Sequence, residues 1–455
     1  MDFIALILFG KIGFNKKMLD TICILVIRLD EVKIMKNEFL QELKWRGLIN
    51  DCTDFEALDT LMEEGNITLY CGFDPTADSL HIGSLLPILT LKRFQLAGHK
   101  PLALVGGATG LIGDPTGRSA ERQENSHETV IKWSESIKRQ LSQFLQFGEQ
   151  SNAAELVNNY DWTSNLSMID FLRDFGKFFN INYILAKDTV CSRLDHGMTF
   201  TEFSYTILQG MDFKYLYETK KCVLQIGGSD QWGNITSGLE LIRKQLGHEE
   251  KAVGLTMPLV TKSDGTKFGK TAGGAIWLDR NKTTPYEMYQ FLINTADEDV
   301  VKFLKYFTFL SKEEIDAIEE AFKAAPHERL AQKTLAKEVV TIVHGAEAYE
   351  QALKITQALF SGNLSELSAE EIEVGFKDVP SVELAEDLNL VDALVFAKAA
   401  SSKRESREFV NNNSISINGE KVNDLEFTLS KDNAIGGKFT VIRRGKKKYF
   451  LIKHV

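Results

Sequence analysis

Two stretches of this 455-residue chain carry residue types suited to polyphosphate chemistry. The first reads Tyr70-Cys71-Gly72-Phe73-Asp74-Pro75-Thr76-Ala77-Asp78-Ser79-Leu80-His81-Ile82-Gly83-Ser84. An apolar, strand-like run over 67–73 breaks at Gly72 and Pro75. It resumes as a helical pattern from about His81 to Ala97, with Leu85, Ile88, Leu89 and Leu96 apolar. A strand that ends in a Gly/Pro loop and feeds a helix aims free backbone N–H groups and the positive end of the helix dipole into one gap, where phosphates sit well. Thr76 and His81 would add side-chain donors, and Gly83, having no Cβ, would let a flat base lie against the backbone. A histidine at a helix start is more often a capping or surface residue. The second stretch is Lys262-Ser263-Asp264-Gly265-Thr266-Lys267-Phe268-Gly269-Lys270-Thr271. Its lysines, point charges on long stems, would form a flexible cationic flap for phosphates that change position during a reaction. Alone, such a loop is ordinary surface.

Further candidates lie between the two. Pro101–Gly107 is a second buried strand, and it runs into a glycine-rich loop with Asp114-Pro115 and Arg118. Asp114 is either a turn former before proline or a ligand group at a strand's carboxyl end. Thr201–Glu218 has a helical pattern in which spacings of four and three put Tyr205, Gln209 and Asp212 on one face. That face is either a solvated stripe or a pocket wall. Val223–Asn234 is another strand, a Gly227-Gly228 loop and a helix start; Ser229 and Asp230 are N-cap candidates there. The same glycine pair would let a ribose lie against backbone, with Asp230 accepting from its hydroxyls.

The elements that must position these residues follow from the repeat of strand, glycine-rich loop and helix. That repeat implies parallel strands with crossovers, a doubly wound, Rossmann-like α/β sheet. At this length two or three domains with substantial cores are expected, and the composition, 44% hydrophobic and 25% charged, is ordinary globular. Five cysteines lie scattered without CxxC pairs, so neither a zinc site nor a disulfide framework is readable, which favours a reducing compartment such as the cytoplasm. The net charge of −10 argues against a nucleic-acid coat along the whole chain. Residues 391–455, however, hold 13 Lys/Arg against 7 Asp/Glu, which leaves the rest of the chain near −16. A basic tail on an acidic body suggests a local polyanion contact.

In order along the chain, residues 1–34 form an atypical extension whose short apolar runs flank Lys11, Lys16 and Lys17. Neither run approaches the ~20 residues of a membrane span, and the order is poor for a secretory signal. The expectation is that Met35 is the true start and the extension is untranslated or disordered; a weak membrane-surface or targeting role is the other reading. A catalytic domain is expected over 35–280, a helical domain over 281–362, a linker over 363–386 with an acidic run at Glu366–Glu373, and a small α+β unit over 387–455. In that last unit a basic helix with Arg404 and Arg407 precedes a strand, an Asn418-Gly419 turn and another strand, a compact RNA-binding arrangement.

The stretch YCGFDPTADSLHIGS closely resembles the His-Ile-Gly-His signature of the class I aminoacyl-tRNA synthetases, with Ser84 in the place of the second histidine, and KFGKT resembles their Lys-Met-Ser-Lys-Ser motif. The residues before His81 resemble the tyrosyl branch, and the likeness to bacterial tyrosyl-tRNA synthetases runs over 35–455. It implies catalysis by Thr76, His81, Lys267 and Lys270, and a tyrosine pocket of Tyr70, Asp114, Tyr205, Gln209, Asp212, Gln225 and Gln231. Tyr70 and Asp212 would contact the substrate phenol, and Asp114, Tyr205 and Gln209 its ammonium group. ATP contacts would come from Cys71, Gly72, Asp74, Gly83, Ser84, Arg118, Arg122, Gly228, Asp230 and Thr271. The tRNA would meet Arg243, Lys244, Arg404, Arg407, Lys446, Lys447 and Lys448, the last five around an S-four-like RNA-binding domain. The implied activity is ligation of tyrosine to tRNA(Tyr) with ATP and Mg2+, without a tightly bound metal or a membrane, in a cytoplasmic homodimer. Two rivals remain: a tryptophanyl relative, with no use for two phenol partners, and a catalytically silent RNA-binding relative, for which Ser84 speaks.

Overall fold

A computed structural model describes residues 36–116, 125–185, 190–191, 197–271, 274–377, 379–445 and 448–455. The 1–34 extension, Arg118, Arg122, Lys446 and Lys447 lie outside the described residues. The first sheet holds β1 (Asp51–Cys52), β2 (Thr68–Phe73), β3 (Lys100–Val105), β4 (Glu155–Asn158), β5 (Cys222–Gly228) and β6 (Val253–Met257). Their order is β1-β6-β5-β2-β3-β4, parallel throughout except for β1, which runs antiparallel to β6 along the edge. From β2 the chain winds outward to β3 and β4, then returns to the other side of β2 for β5 and β6. The reversal opens a crevice at the carboxyl ends of β2 and β5, where ligands bind in sheets of this kind.

Burial explains why these runs are strands. Every residue of β6 is buried, and so is all of β3 after Lys100, as strands covered on both faces must be. In β2 the strand period sends Leu69, Cys71 and Phe73 into the main apolar core, while Tyr70 packs on the other face with Leu102, Leu104 and Phe213. A slip of one residue would turn Tyr70 away from the crevice. The longer helices among the described residues that flank or follow the sheet begin with α1 (Glu38–Trp45), α2 (Phe55–Glu64), α3 (Leu85–Leu96), α4 (His127–Phe144), α5 (Phe200–Lys220), α6 (Trp232–Leu246), α7 (Pro285–Ile293), α8 (Asp297–Phe307) and α9 (Lys312–Ala324). Thr199 and Glu202 close a capping box on α5 that sets the entry of the helix carrying Tyr205, Gln209 and Asp212.

The expected helix from His81 starts later. His81 is extended (φ −110°, ψ 168°), Ile82–Ser84 is a 3-10 turn, and α3 begins at Leu85. The reason is a long-range pairing. Ile82 N–H donates to Ile276 O at 2.8 Å, Leu278 N–H donates to Leu80 O at 2.8 Å, and His81 bridges to Trp277.

After α9 come α10 (Leu330–His344) and α11 (Ala346–Ser361), and apolar residues from α7 to α11 join the same core as the sheet. The segment 363–386 is more than a linker. It contains a 3-10 turn at Leu364–Glu366, α12 (Ala369–Gly375) and β9 (Ser381–Leu384). Leu364, Leu367, Ile372 and Phe376 are buried between Ile355 and Ala358 of α11 and Phe439, Val441 and Leu451. Glu366, Glu370 and Glu373 are exposed, so composition hid an amphipathic joint. The rest comprises β10 (Leu388–Asn389), α13 (Leu390–Phe396), α14 (Lys403–Asn411), β11 (Ile415–Ile417), β12 (Glu420–Lys421), β13 (Thr428–Leu429), β14 (Phe439–Arg444) and β15 (Lys448–His454). Five of these strands form a second sheet ordered β12-β11-β14-β15-β9. Asn418 and Gly419 join β11 to β12 with φ of 52° and 97°, the left-handed pair that a two-residue hairpin turn requires.

Candidate active site

At the crevice between β2 and β5 lies a cavity of about 180 Å3. Tyr70, Cys71, Gly72 and Asp74 line it from β2 and the residue beyond, Thr109 and Asp114 from the loop after β3, Tyr205, Gln209 and Asp212 from α5, and Gln225, Gly228 and Gln231 from β5 and the following turn. The face of α5 is therefore a pocket wall, not a solvated stripe.

The deep end holds a buried carboxylate and a buried phenol. Asp212, 3% exposed, accepts from Asn159 Nδ2 and Trp162 Nε1, each at 2.9 Å. Burial nonetheless pushes its pKa up to about 7. Tyr70 is 1% exposed, and burial, then the nearby Asp212 charge, holds its phenol protonated well above the ordinary range. Among the described residues Tyr70 Oη, Gln209 Oε1 and Gln225 Oε1 have no hydrogen-bond partner. Each such buried polar atom costs about 1–3 kcal/mol if left unpaired. Three of them around one small cavity mark it as built for a ligand that bonds to them.

A second tier fixes the wall. Asp74 accepts from Tyr205 Oη and Thr109 Oγ1, both at 2.7 Å. Gly106 is required beside it, because a Cβ there would fall 1.9 Å from Asp74 Oδ1. Asp114 accepts from Gln231 Nε2 at 2.8 Å and also from Thr116 N–H at 2.9 Å, so it is a turn former and a pocket residue at once. Gln231 Oε1 in turn accepts from Asn234 Nδ2 at 3.1 Å, and Asn234 Oδ1 from Thr206 Oγ1 at 2.9 Å. The thiol of Cys71, 3% exposed and packed with the core, is pushed up to about 12 and stays a neutral donor. Asn159, Trp162 and Thr109 escaped the sequence reading; the one available signal was that Asn159 follows the carboxyl end of a parallel strand.

The two phosphate-suited stretches meet beside this pocket. β7 (Lys270–Thr271) pairs with β8 (Gly274–Ala275), and Thr261 bridges to Lys267. Gly269, at φ +86°, packs on Ile82, where a Cβ would fall 2.4 Å from Ile82 Cγ2. The loop expected as a flexible flap is pinned at its centre. Phe268 is 6% exposed, with its ring 5.1, 4.4 and 5.3 Å from those of Phe291, Phe303 and Phe307. Desolvation, reinforced by the charges of Lys270 and Lys267, lowers the pKa of His81, so its imidazole is a neutral donor at pH 7. Burial and then the Asp114 charge raise the pKa of Asp230, against the pull of Lys267. Lys267 thus acts on both sides of the cleft. Thr76 is exposed at the rim, its N–H on Asp74 O at 2.9 Å, and Ser84 N–H donates to His81 O at 2.8 Å. What lies against Gly83 is the His81 ring itself: a Cβ there would sit 2.9 Å from His81 Cε1. Chemically, the cavity suits a small molecule with a hydroxyl at one end and donors at the other, next to a cationic phosphate site.

The basic residues stand apart from this cleft. Arg243 and Lys244 occupy the last turn of α6, both paired with Glu240, and Lys244 also donates to Phe178 O at 2.8 Å. Arg404 and Arg407 are exposed on α14, and Lys448 is exposed at the start of β15.

Comparison with known proteins follows the same division. Residues 62–361 match the family described as tRNA synthetases class I (W and Y), and residues 371–452 match the tyrosine--tRNA ligase SYY-like C-terminal domain. The chain is 62% identical over 417 residues to tyrosine--tRNA ligase 1 of Bacillus subtilis, covering 91% of this chain and 99% of that protein. It is 63% identical over 416 residues to the protein of the same name from Bacillus cereus, with the same coverage. Among solved structures, the C-terminally truncated mitochondrial tyrosyl-tRNA synthetase of Aspergillus nidulans aligns with a TM-score of 0.65 at 33% identity, over 73% of this chain and 97% of that one.

Proposed function

The chain belongs to the tyrosine--tRNA ligases, the tyrosyl branch of the class I aminoacyl-tRNA synthetases, and on that premise we propose that it activates L-tyrosine with ATP and transfers it to the 3′ end of tRNA(Tyr). The observation that carries this reading is the deep end of the cavity. Tyr70 Oη and Asp212 lie close together without bonding each other, so a substrate phenol between them donates to the carboxylate and accepts from the tyrosine. Gln209 Oε1 and Gln225 Oε1 offer acceptors to an ammonium group, with Asp114, Tyr205 and Gln231 forming the adjoining wall. A tryptophan indole has no hydroxyl to satisfy both partners at the deep end.

In the first step the tyrosine carboxylate attacks the α-phosphorus of ATP, the bond to the bridging oxygen breaks, and pyrophosphate leaves with the electron pair. Mg2+ enters as part of the ATP substrate. No side chain acts as a nucleophile. His81, Thr76, Lys267 and Lys270 act by placing donors and positive charge where the transferring phosphates gain charge. The neutral His81 donates a hydrogen bond, and the lysines supply the charge. Gly72, Asp74, Gly83, Ser84, Gly228, Asp230 and Thr271 surround the nucleotide. In the second step the terminal adenosine hydroxyl of the tRNA attacks the adenylate carbonyl and AMP departs. Arg404, Arg407 and Lys448 meet tRNA phosphates on the C-terminal unit, and Arg243 and Lys244 face the acceptor end; such contacts position more than they specify.

A homodimer completes the reading. Its support is an apolar face on which Met168, Ile169, Leu172 and Phe200 are exposed around a groove lined by Leu111, Tyr160 and Phe171. Sedimentation that shows a monomer at micromolar concentration would remove this part. No helix among the described residues is long and apolar enough to cross a membrane, and the protein is proposed to work in the cytoplasm.

The main test is tyrosine-dependent exchange of labelled pyrophosphate into ATP without tRNA. Exchange with tyrosine but not with phenylalanine or tryptophan is expected. Exchange with tryptophan would overturn the assignment of Tyr70 and Asp212, and no exchange from folded protein would favour an RNA-binding role without catalysis.

A further inference from the structure

The lysine loop is held by a buried carboxylate and a partly exposed lysine paired on a helix outside the cleft. In the first turn of α8, Asp299 is 2% exposed, and its Oδ2 accepts from Ser263 N–H at 2.9 Å and Ser263 Oγ at 3.2 Å. Its Oδ1 accepts from Lys302 Nζ at 2.8 Å, and the same ammonium donates to Thr261 O at 2.9 Å. Beyond each other, Asp299 and Lys302 therefore spend these bonds on the loop backbone on either side of Lys262. One and two turns further along α8, Phe303 and Phe307 grip Phe268, which with Gly269 separates Lys267 from Lys270.

The far end of α8 is fixed as firmly. Arg46, the residue that caps the end of α1, donates to Lys305 O, Thr308 O and Leu310 O at 3.2, 3.3 and 2.7 Å. Arg93 of α3 donates to Tyr306 O at 3.3 Å and Thr308 O at 2.5 Å. Both arginines are under 5% exposed. Since α3 is the helix that follows His81, α8 joins the two phosphate-suited stretches by a path that avoids the cleft. With the Lys302 side chain 36% exposed, the pair is a weak source of stability, because solvent screens its attraction. Its directed bonds to 261–263 do, however, set where the loop starts.

Resting on the synthetase reading, we propose that Asp299 and Lys302 are positioning residues for tyrosine activation, a clamp that holds the lysine loop so that Lys267 and Lys270 meet the ATP phosphates. They touch no substrate. A loop misplaced by about 1 Å is enough to cost tenfold or more in rate.

The test uses the full chain with Asp299→Ala, Asp299→Asn and Lys302→Met. Pyrophosphate exchange gives kcat and the KM for tyrosine, and amide hydrogen exchange follows 260–271. For Asp299→Ala the expected result is a kcat about tenfold lower, an unchanged KM for tyrosine and faster amide exchange confined to the loop. Asp299→Asn keeps an acceptor for Ser263 and is expected to recover most of the rate. Lys302→Met, which loses the Thr261 bond without losing bulk, is expected to fall three- to fivefold, and it carries the test if Asp299→Ala does not fold. An unchanged kcat, or a kcat loss accompanied by a raised KM for tyrosine, overturns the clamp. If the wild type shows no exchange, the synthetase reading fails, and the clamp is then judged on the loop amides alone: unchanged protection in the variants overturns it.

Discussion

The pocket around Tyr70 and Asp212 and the loop that carries Lys267 and Lys270 lie side by side, but they are built on different principles. The pocket is assembled from β2, α5 and β5, with its polar groups buried and cross-bonded: Asp212 to Asn159 and Trp162, Asp74 to Tyr205 and Thr109. The loop's Lys267 and Lys270 are exposed, and its anchors are one aromatic ring and a clamp at its start. A site that must discriminate a hydroxyl needs preformed, desolvated partners, since a partner left unpaired is what penalises the wrong ligand. A site that must follow moving phosphates needs charge on long stems, placed but not enclosed. Binding selectivity and transition-state charge are therefore supplied by separate parts of one cleft.

The sharpest way to break this division is Asp212→Ala. It removes the carboxylate and leaves two buried donors unpaired, a loss of about 4 kcal/mol, or roughly a thousandfold in kcat/KM for tyrosine. Calorimetric tyrosine binding should fall with it; intact binding with a lowered kcat would merge the two regions into one. Lys270→Ala should do the reverse, costing about 2–4 kcal/mol in kcat while tyrosine binding is unchanged. A changed tyrosine affinity there would show that the loop belongs to the pocket.

A pH series sharpens the comparison further. The Asp212 carboxyl titrates near 7 in the free protein because burial disfavours its charge. The ionised form is the stronger acceptor for a phenol, so tyrosine affinity should be weaker below pH 7, rise through it and level off above, by up to about tenfold between pH 6 and 8. Titration calorimetry should also record proton release on binding near pH 6.5. A flat profile would mean that the carboxylate does not receive the phenol. The smallest expected effect is that of Tyr70→Phe, which deletes one neutral hydrogen bond worth about 1 kcal/mol. Tyrosine should be activated about fivefold less efficiently and discrimination against phenylalanine should drop by a similar factor, read as the ratio of kcat/KM values.

Much of this was legible locally. The spacing of Tyr205, Gln209 and Asp212 is a helix period, so a shared face followed from residue numbers alone. The alternation in 67–73 likewise sends Tyr70 to one side and Leu69 and Cys71 to the other. The parallel sheet followed from the repeated strand, glycine loop and helix, and the Asn418-Gly419 hairpin from its two left-handed residues. Where the reading stopped short, a distant partner decided. His81 is extended, not helical, because 80–82 pair with 276–278. The segment 363–386 folds because its few apolar residues find α11 on one side and the last sheet on the other. Asn159 and Trp162 carry no motif, and they matter because packing sets them against Asp212.

By itself the sequence determined most of the elements, their faces and the two phosphate-suited stretches, since periodicity and turn chemistry act over a few residues. The tertiary structure alone decided which polar groups are buried together, that Asp212 titrates near neutrality, and that Asp299 reaches back to Ser263. Those properties depend on desolvation and on contacts between residues dozens to hundreds of positions apart, and neither is encoded within any single stretch of chain.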